Sequence, residues 1–163
     1  MTQVWVVDAN LWIDAARCNR GQRLVKAARI DTCLPDVVYD EVQRHTDDSD
    51  FLHELNELTV EIPAESPTAA HYHRIRSARS SGPRNAGEDA CIALALENAH
   101  LTFVTHDQGA QSLAMRELGE RVLGGHNWLR SLAEQGRLEK RDAIAIGNQS
   151  RNQPYFWQGW SNT

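Results

Sequence analysis

The sequence predicts an α/β protein: a three-layer α/β/α sandwich around a central parallel sheet of about four to five strands. The run VWVV at 4–7 is apolar without alternation, as in a strand buried on both faces. Strand-like runs then alternate with helix-like segments, which is typical of parallel sheets joined by crossover helices. Finally, the runs at 4–7 and 101–105 each end at or near an aspartate, as expected where strands bring polar residues to one edge.

Each element of this fold rests on a local pattern. Short apolar runs predict strands at 4–7, 30–34, 59–62, 101–105 and 121–123. Helical periodicity predicts helices at 10–16, 20–29, 35–45, 51–58, 67–80, 88–99, 109–118, 126–135 and 139–146. We place Pro35 in the first turn of its helix, where the missing N–H has no partner to lose. Ser-Ser-Gly-Pro at 80–83 predicts an exposed turn.

Length and composition indicate one domain followed by a tail. The 163 residues suffice for a single core, which we assign to 1–148, with its centre at 3–125 and a helical extension at 126–148. The tail at 149–163 carries Tyr155, Phe156, Trp157 and Trp160 among polar residues, without helical or strand periodicity. Three roles stay open for it: packing on its own domain, docking a partner, and stacking on bases.

The remaining composition excludes several classes of protein. No apolar run approaches the roughly 20 residues of a membrane-spanning helix, and no basic stretch precedes the apolar start, so we expect a cytoplasmic protein without membrane contact. Cys18, Cys33 and Cys91 are odd in number and widely spaced, which fits neither a disulfide framework nor a zinc site. A net charge of −5 is unlike most nucleic-acid-binding proteins, although clustered carboxylates would lower this total.

Four acidic positions are the main functional candidates. Asp8 and Asp107 follow predicted strands, and ligands of open parallel sheets bind beyond the carboxyl ends of the strands. Each also precedes a predicted helix, so a helix cap is the alternative. Glu41 borders the apolar face of its helix, where a carboxylate must be paired, protonated, metal-bound or at the rim.

The fourth acid is either Glu88 or Asp89. Both flank the apolar side of the helix at 88–99 within its first turn. Glu88 has a structural alternative, because Asn85 to Glu88 has the spacing of a capping box with Asn in place of Ser or Thr. We therefore prefer Asp89 as the functional acid.

Carboxylates that converge in one pocket require a cation or a proton. Two unit charges about 4 Å apart repel by about 4 kcal/mol at an effective dielectric of about 20. A hard divalent ion relieves this repulsion, and oxygen ligands suit Mg²⁺ or Mn²⁺. Such an ion activates water and neutralises phosphate charge, which predicts phosphodiester hydrolysis. We expect a carboxylate such as Asp89 to orient or deprotonate the nucleophile.

Four segments in this order resemble the signature blocks of PIN-domain ribonucleases, including VapC-type toxins: VVDANLWIDA, LPDVVYDEVQRH, GEDACIALALE and FVTHDQGA. The resemblance covers about residues 3–125 and would make 1–148 a PIN-like nuclease domain. It implies a catalytic set of Asp8, Glu41, Asp89 and Asp107, and a metal site of Asp8, Asp89, Asp107 and Glu88. Some relatives carry this acid of the α-helical block in a Gly-Glu pair and others three residues before the isoleucine, so Glu88 and Asp89 both stay candidates.

The same resemblance implies further properties. Asn10 and Thr105 match small polar residues that support the metal site, and the metal would be Mg²⁺ or Mn²⁺. The substrate would be RNA, frequent homodimers are expected, and a cognate antitoxin protein is the expected partner. The leading hypothesis is thus an endoribonuclease that acts as the toxin of a type II toxin-antitoxin pair. The competing hypothesis is a catalytically silent PIN-like module that binds RNA or protein.

Two further groups of side chains bear on these hypotheses. Arg17, Arg20 and Arg23 recur every third residue on a predicted helix, continue into Lys26 and Arg29, and are our candidates for RNA contacts, with a solvated helix surface as the alternative. Arg74, Arg76, Arg79 and Arg84 form a second basic group. His71, His73 and His106 offer a histidine metal site, but no zinc-ligand spacing accompanies them.

Overall fold

The uninterrupted apolar runs of the sequence become the strands of one parallel sheet. A computed structural model describes residues 4–79, 85–151 and 153–160. Its strands are β1 Val4–Val7, β2 Thr32–Pro35, β3 Thr59–Val60, β4 Leu101–Thr105 and β5 Val122–Gly124. They lie in the order β3-β2-β1-β4-β5, and every neighbouring pair is parallel. The predicted fold class, a parallel α/β/α sandwich, is confirmed.

Helices fill the connections between the strands. Their bounds are α1 Ala9–Arg17, α2 Gly21–Ala28, α3 Asp36–Gln43, α4 Ser49–Asn56, α5 Pro67–Ala78, α6 Ala86–Glu97, α7 Gln108–Leu118, α8 Gly125–Glu134 and α9 Lys140–Gly147. On one face, α6 packs on β1, β2 and β4 and contacts α5 and α7. On the other, α8 packs on β4 and β5, and α9 joins it to α1 and α2. Helix α3 contacts both α1 and α6, so it closes one end of the sandwich.

The helix starts follow ordinary capping chemistry. Asp48 caps α4 by accepting from Phe51 N at 3.2 Å, which starts this helix two residues before the predicted position. Ser66 caps α5 by accepting from Ala69 N at 3.1 Å. Pro35 is the extended N-cap residue of α3 and ends β2, so our placement of it inside the helix was wrong by one position.

The predicted strands differ from the observed ones outside the central pair of β1 and β4. Strand β2 begins at Thr32 instead of Ile30, whose side chain is 86% exposed in the preceding turn. Strand β3 keeps only two residues, because it pairs with β2 alone. The turn predicted at 80–83 lies outside the described residues. Within the described residues, no helix is long and apolar enough to cross a membrane.

The core is built around large side chains from both helical layers. Trp12 of α1 and Trp128 of α8 are fully buried and meet edge to face with centroids 6.1 Å apart. Trp12 also donates from Nε1 to the carbonyl of Val7 at 3.2 Å, which fixes α1 against the end of β1. This contact matters for function because Asp8 is the residue between the two elements.

The aromatic tail packs on its own domain. Trp157 and Trp160 are buried, whereas Tyr155 is 79% exposed. The Trp157 ring lies against Gly147 of α9 and is within 5.8 Å of the His126 ring on α8, measured between centroids. Of the three roles left open for the tail, the first is thus observed for residues 153–160.

Candidate active site

The acidic residues lie at the carboxyl ends of the two central strands, β1 and β4. Strands β1 and β4 are neighbours with Val7 opposite Val104, and the chain moves from them toward opposite edges. Asp8 directly follows β1, and its backbone N–H donates to the carbonyl of Val104 at 3.0 Å. Asp107 follows β4 after one intervening residue. This switch point is where parallel α/β proteins place their ligands.

Asp8 is buried and fully engaged by hydrogen bonds. Its Oδ1 accepts from Ala9 N at 2.7 Å, which caps α1, and its Oδ2 accepts from Thr105 Oγ1 at 2.9 Å. Asp8 is only 2% exposed. Burial, reinforced by the charges of Glu41 and Asp107, raises the pKa of Asp8 to about 7 despite these hydrogen bonds.

Thr105 connects the two aspartates. Its hydroxyl donates to Asp8 and accepts from the backbone N–H of Asp107 at 3.1 Å, and the residue is fully buried. Asp107 in turn caps α7 by accepting from Ala110 N at 3.0 Å. Both aspartates are therefore helix caps and members of the acidic cluster, so the two interpretations of each residue do not exclude one another. Thr105 thus holds Asp8 and Asp107 in position by hydrogen bonds.

Glu41 reaches the cluster beside a glycine of α6. A Cβ placed on Gly87 would lie 2.9 Å from Glu41 Oε2 and 3.9 Å from Asp8 Oδ1. Carboxylates from α3 and from the end of β1 thus approach the same point in the first turn of α6, where the helix dipole favours negative charge. A larger residue at position 87 would displace Glu41, so the close approach depends on glycine.

Glu88 belongs to the cluster, and its capping interpretation is wrong. Asn85 has a left-handed conformation with φ 64° and makes no side-chain hydrogen bond to the helix start. Glu88 is 7% exposed, and burial followed by repulsion from Asp8 and Asp107 raises its pKa to about 8. The neighbouring Arg79, with Nη1 3.6 Å from Glu88 Oε2, only partly offsets this increase.

Asp89 has different partners. It is fully buried, with Oδ2 2.9 Å from Arg76 Nη1 and Oδ1 3.2 Å from Arg79 Nε. Two guanidinium groups therefore balance its charge, and it needs no metal ion. The geometry favours Glu88 over Asp89 as the fourth acid, which reverses the preference that we drew from the sequence.

A two-part groove passes over the cluster. One part, of about 500 Å³, is bordered by α1, α3 and the start of α7; the other, of about 570 Å³, is bordered by α5, α6 and α7. Asp107 and Gly109 line both parts, Glu41 lines the first and Glu88 the second, whereas the buried Asp8 lines neither. Polar residues of the first part are Asn10, Asp14, Arg17, Glu41, His45, His106, Gln108 and Ser150, and those of the second are Arg74, Arg79, Asn85, Glu88, Arg116 and Glu117.

Only one of the three arginines predicted to contact RNA lines this groove. Arg17 is on its rim, 3.8 Å from Asp14 and largely exposed. Arg20 Nε and Arg23 Nη1 instead bind the carboxylate of Asp142 on α9, at 3.2 and 2.9 Å, and Asp142 is 2% exposed. These two arginines hold α2 to α9, so the structure gives them a role in packing. Arg84 of the second basic group lies outside the described residues.

Two residues that line or shape the site were missed by the sequence analysis, Asp14 and Gly87. Asp14 is 7% exposed in the first part of the groove, and burial raises its pKa to about 6 against the opposing charge of Arg17. Its spacing of four from Asn10 on a predicted helix was an available signal. The importance of Gly87 depends on contacts with Glu41 and Asp8, which belong to other elements. Asn10 is exposed beside Asp14.

The histidines do not form a site of their own. His71 Nε2 pairs with Glu97 at 3.3 Å on the outer side of α5 and α6. His106 is buried against the ring of His126, with centroids 4.5 Å apart, and burial lowers its pKa to about 3. A neutral His106 is thus part of the packing beneath Asp107 rather than a member of a His71–His73 cluster.

The cluster fits a divalent ion in its chemistry but not in the present arrangement of its side chains. As the side chains stand, no group of three Asp, Glu, His or Cys residues in 4–79, 85–151 and 153–160 could hold a metal ion. The donor chemistry nevertheless fits Mg²⁺ or Mn²⁺, since these ions often use one or two carboxylates and complete their shell with waters and phosphate oxygens. Burial, followed by neighbouring negative charges, raises the pKa of Asp8 and of Glu88, so a bound cation would favour the ionised form of both acids.

Comparisons with protein-family models, with curated proteins and with solved structures give no match. The resemblance of four sequence blocks to PIN-domain ribonucleases therefore stays a prediction, and function has to be argued from the geometry of the site.

Proposed function

We propose that the protein is a metal-dependent endoribonuclease that hydrolyses phosphodiester bonds in RNA. The observation that carries this proposal is the grouping of four acids at the carboxyl edge of the sheet. Glu41 and Asp8 lie against the same side of Gly87, Thr105 joins Asp8 to Asp107, and Glu88 is repelled by both aspartates. Glu41, Glu88 and Asp107 line the groove. Fold and groove alone would suit many reactions. Asp8 is repelled by Glu41 and Asp107, and Glu88 is repelled by Asp8 and Asp107, which favours chemistry that brings its own cation.

The environment of each residue determines the role that we propose for it. One or two of Asp8, Glu41, Glu88 and Asp107 would hold Mg²⁺ or Mn²⁺ together with waters and phosphate oxygens, and the bound ion would lower the pKa of an attacking water and neutralise phosphate charge. Ala9 N and Thr105 Oγ1 keep both oxygens of Asp8 in place. Glu88 lines the groove, so it is placed to contact a water or a phosphate oxygen there.

The choice of substrate and partners rests on the sequence resemblance and on the groove. The open groove accommodates an extended strand, with Arg17 at one end and Arg74 and Arg116 at the other as contacts for phosphates. Following the resemblance to VapC-type toxins, we propose that the protein acts in the cytoplasm as the toxin of a type II pair. Its partners would then be a cognate antitoxin and a second copy of the chain.

The proposal is tested by RNA cleavage with purified protein. Chelator-treated protein should cleave single-stranded RNA only after Mg²⁺ or Mn²⁺ is added, and Asp8→Asn, Glu88→Gln or Asp107→Asn should abolish cleavage while the fold is retained. Asp40→Asn is the matched control, because Asp40 is an exposed acid of the same helix as Glu41. Cleavage that is equal in the Glu88→Gln variant and the parent, or independent of metal, would contradict the proposed site.

One observation favours the alternative of a catalytically silent PIN-like module that binds RNA or protein. Asp8 already uses both oxygens in protein hydrogen bonds, and the described residues contain no ready-made metal group of three. The two hypotheses differ in their products: the silent module would bind RNA but leave it intact with either ion, across a library of sequences. The enzyme would yield defined fragments that disappear with Glu88→Gln.

A further inference from the structure

A buried acid next to the cluster holds an arginine at its edge. Asp89 is fully buried on α6, and Arg79 lies at the end of α5 with Nε 3.2 Å from Asp89 Oδ1. Arg76, one turn earlier on α5, contacts the other carboxylate oxygen at 2.9 Å. One carboxylate and two guanidinium groups leave this trio with a net charge of +1, directly beside an acidic site.

Arg79 is also part of the groove. Its Nη1 lies 3.6 Å from Glu88 Oε2, and its side chain lines the second part of the groove together with Glu88 and Asp107. The side chain is 19% exposed, so it is largely desolvated but still reachable from the groove. A guanidinium group has five donors, and contacts to Asp89 and Glu88 do not use all of them.

The burial of Asp89 makes this arrangement rigid. The fully buried carboxylate of Asp89 attracts Arg79 as well as Arg76, so moving Arg79 away would lose an ion pair in a low-dielectric environment even though Arg76 would still balance one charge. An arginine that is fixed before substrate arrives needs little reorganisation when charge develops on a nearby phosphate. Its planar fork also matches two phosphate oxygens at once, which a lysine cannot do.

We propose that Arg79 is a catalytic residue that binds the phosphodiester group being cleaved, and that Asp89 is the residue that positions it. This inference rests on the proposed function for its cleavage step, but the phosphate contact itself does not require cleavage. The guanidinium donates to the non-bridging oxygens of the phosphate and stabilises the additional negative charge in the transition state. Asp89 touches neither the RNA nor any ion and acts only through Arg79.

The experiment combines RNA binding with cleavage in one set of variants. Binding of a short fluorescent single-stranded RNA is measured in chelator at several salt concentrations, and cleavage of the same RNA is measured with Mn²⁺. Arg79→Ala should lower kcat by about 100-fold or more, as for loss of one preorganised donor to transition-state charge. It should also reduce the slope of log affinity against log salt by about 0.7, the value for one phosphate contact of a single strand.

Two further variants separate catalysis from packing. Arg79→Lys keeps the charge without the fork, so its kcat should lie between those of the parent and Arg79→Ala. Arg137→Ala is the matched control, because Arg137 is also 19% exposed and bound to a carboxylate, that of Asp31, but lies outside the groove. It should lose stability while its kcat and salt slope stay at the parent values under conditions where it is folded.

A double-mutant cycle tests the positioning role of Asp89. Asp89→Asn should lower kcat in the parent background and have little further effect in Arg79→Ala, because residues that act as one unit are not additive. Equal kcat and equal salt slope for Arg79→Ala and the parent would overturn the assignment while leaving the nuclease proposal intact. RNA binding that depends on Arg79 without any cleavage would retain the phosphate contact and reject the nuclease. A parent that neither binds nor cleaves RNA would reject both.

Discussion

The raised pKa of Asp8 predicts a specific dependence of stability on pH. Burial is the largest cause of the change from 3.8 to about 7, ahead of the hydrogen bonds that oppose it and the repulsion from Glu41 and Asp107. An acid whose pKa is raised in the folded state binds its proton more tightly there than in the unfolded chain. Its contribution to stability is therefore complete below pH 3.8 and is lost as the pH rises to about 7.

The magnitude follows from the size of this shift. Each pH unit between the two pKa values changes the free energy of unfolding by about 1.4 kcal/mol for one such group. The change from 3.8 to about 7 thus corresponds to a loss on the order of 4 kcal/mol. That loss is comparable to a large part of the stability of an ordinary domain.

Asp8→Asn removes the titration with little change in shape. Asparagine caps helices about as well as aspartate, so the hydrogen bond from Ala9 N is kept. The assay is urea unfolding in chelator at a series of pH values from about 4 to 8. Between the low and the high end of this pH range, the free energy of unfolding of the variant should rise relative to that of the parent by on the order of 4 kcal/mol. Loss of the Asp8 charge should also lower the pKa of Glu88.

A control variant and a measurement with added Mn²⁺ show whether the effect of Asp8→Asn comes from its charge. Asp40→Asn, at an exposed position, should follow the parent curve at every pH. Saturating Mn²⁺ at pH 8 should raise the urea midpoint of the parent, corresponding to about 3 kcal/mol in the free energy of unfolding at 100 times Kd, and should leave the midpoint of Asp8→Asn unchanged. Parallel curves for the parent and Asp8→Asn would refute the assigned electrostatics, and an unchanged parent midpoint in Mn²⁺ would refute the metal site.

Three other substitutions test separate parts of the structure. Gly87→Ala should reduce cleavage strongly because its Cβ would displace Glu41, while urea unfolding shows unchanged stability or a gain of up to about 1 kcal/mol from the better helix former. Arg20→Ala combined with Arg23→Ala should cost about 3 kcal/mol in urea unfolding, because their shared buried carboxylate on α9 would lose both partners. Trp157→Ala should cost about 3–5 kcal/mol in the same measurement, because its ring is buried against α8 and α9.

Each of these has a matched control. Glu41→Gln should reproduce the activity loss of Gly87→Ala, and full activity in Gly87→Ala would show that Glu41 is not needed where we place it. Arg17→Ala should weaken RNA binding with little effect on stability, and the reverse pattern would contradict the division between Arg17 and its two neighbours. Tyr155→Ala should change stability by no more than about 0.5 kcal/mol, since this side chain is 79% exposed.

The elements at the centre of the sheet could be predicted because their patterns are local. Strands β1 and β4 coincide with the predicted runs at 4–7 and 101–105, since a strand buried on both faces is apolar throughout. The edges were less accurate: β3 has two residues instead of four, because a strand with one neighbour ends where that pairing ends. Asp8 and Asp107 could be found for the same reason as the central strands, since Asp8 directly follows β1 and Asp107 follows β4 after one residue.

The choice between Glu88 and Asp89 could not be made from the sequence. The two residues are adjacent in the first turn of α6, and either could flank the apolar side of a helix. Helix α5 and its C-cap residue give the two acids different partners. Arg76 and Arg79 both pair with Asp89, whereas Glu88 has only Nη1 of Arg79 nearby. The same reason applies to Arg20 and Arg23, whose partner Asp142 is more than a hundred residues away in the chain.

The sequence by itself determined the parallel α/β architecture and the positions at which strands end in aspartates, because periodicity and capping act over a few residues. Only the tertiary structure decided which charges share a low-dielectric space, and thereby which acid is neutralised by arginines and which acids are left facing the groove. Coulombic and desolvation energies depend on distance in space and on burial, and neither can be read from separation along the chain.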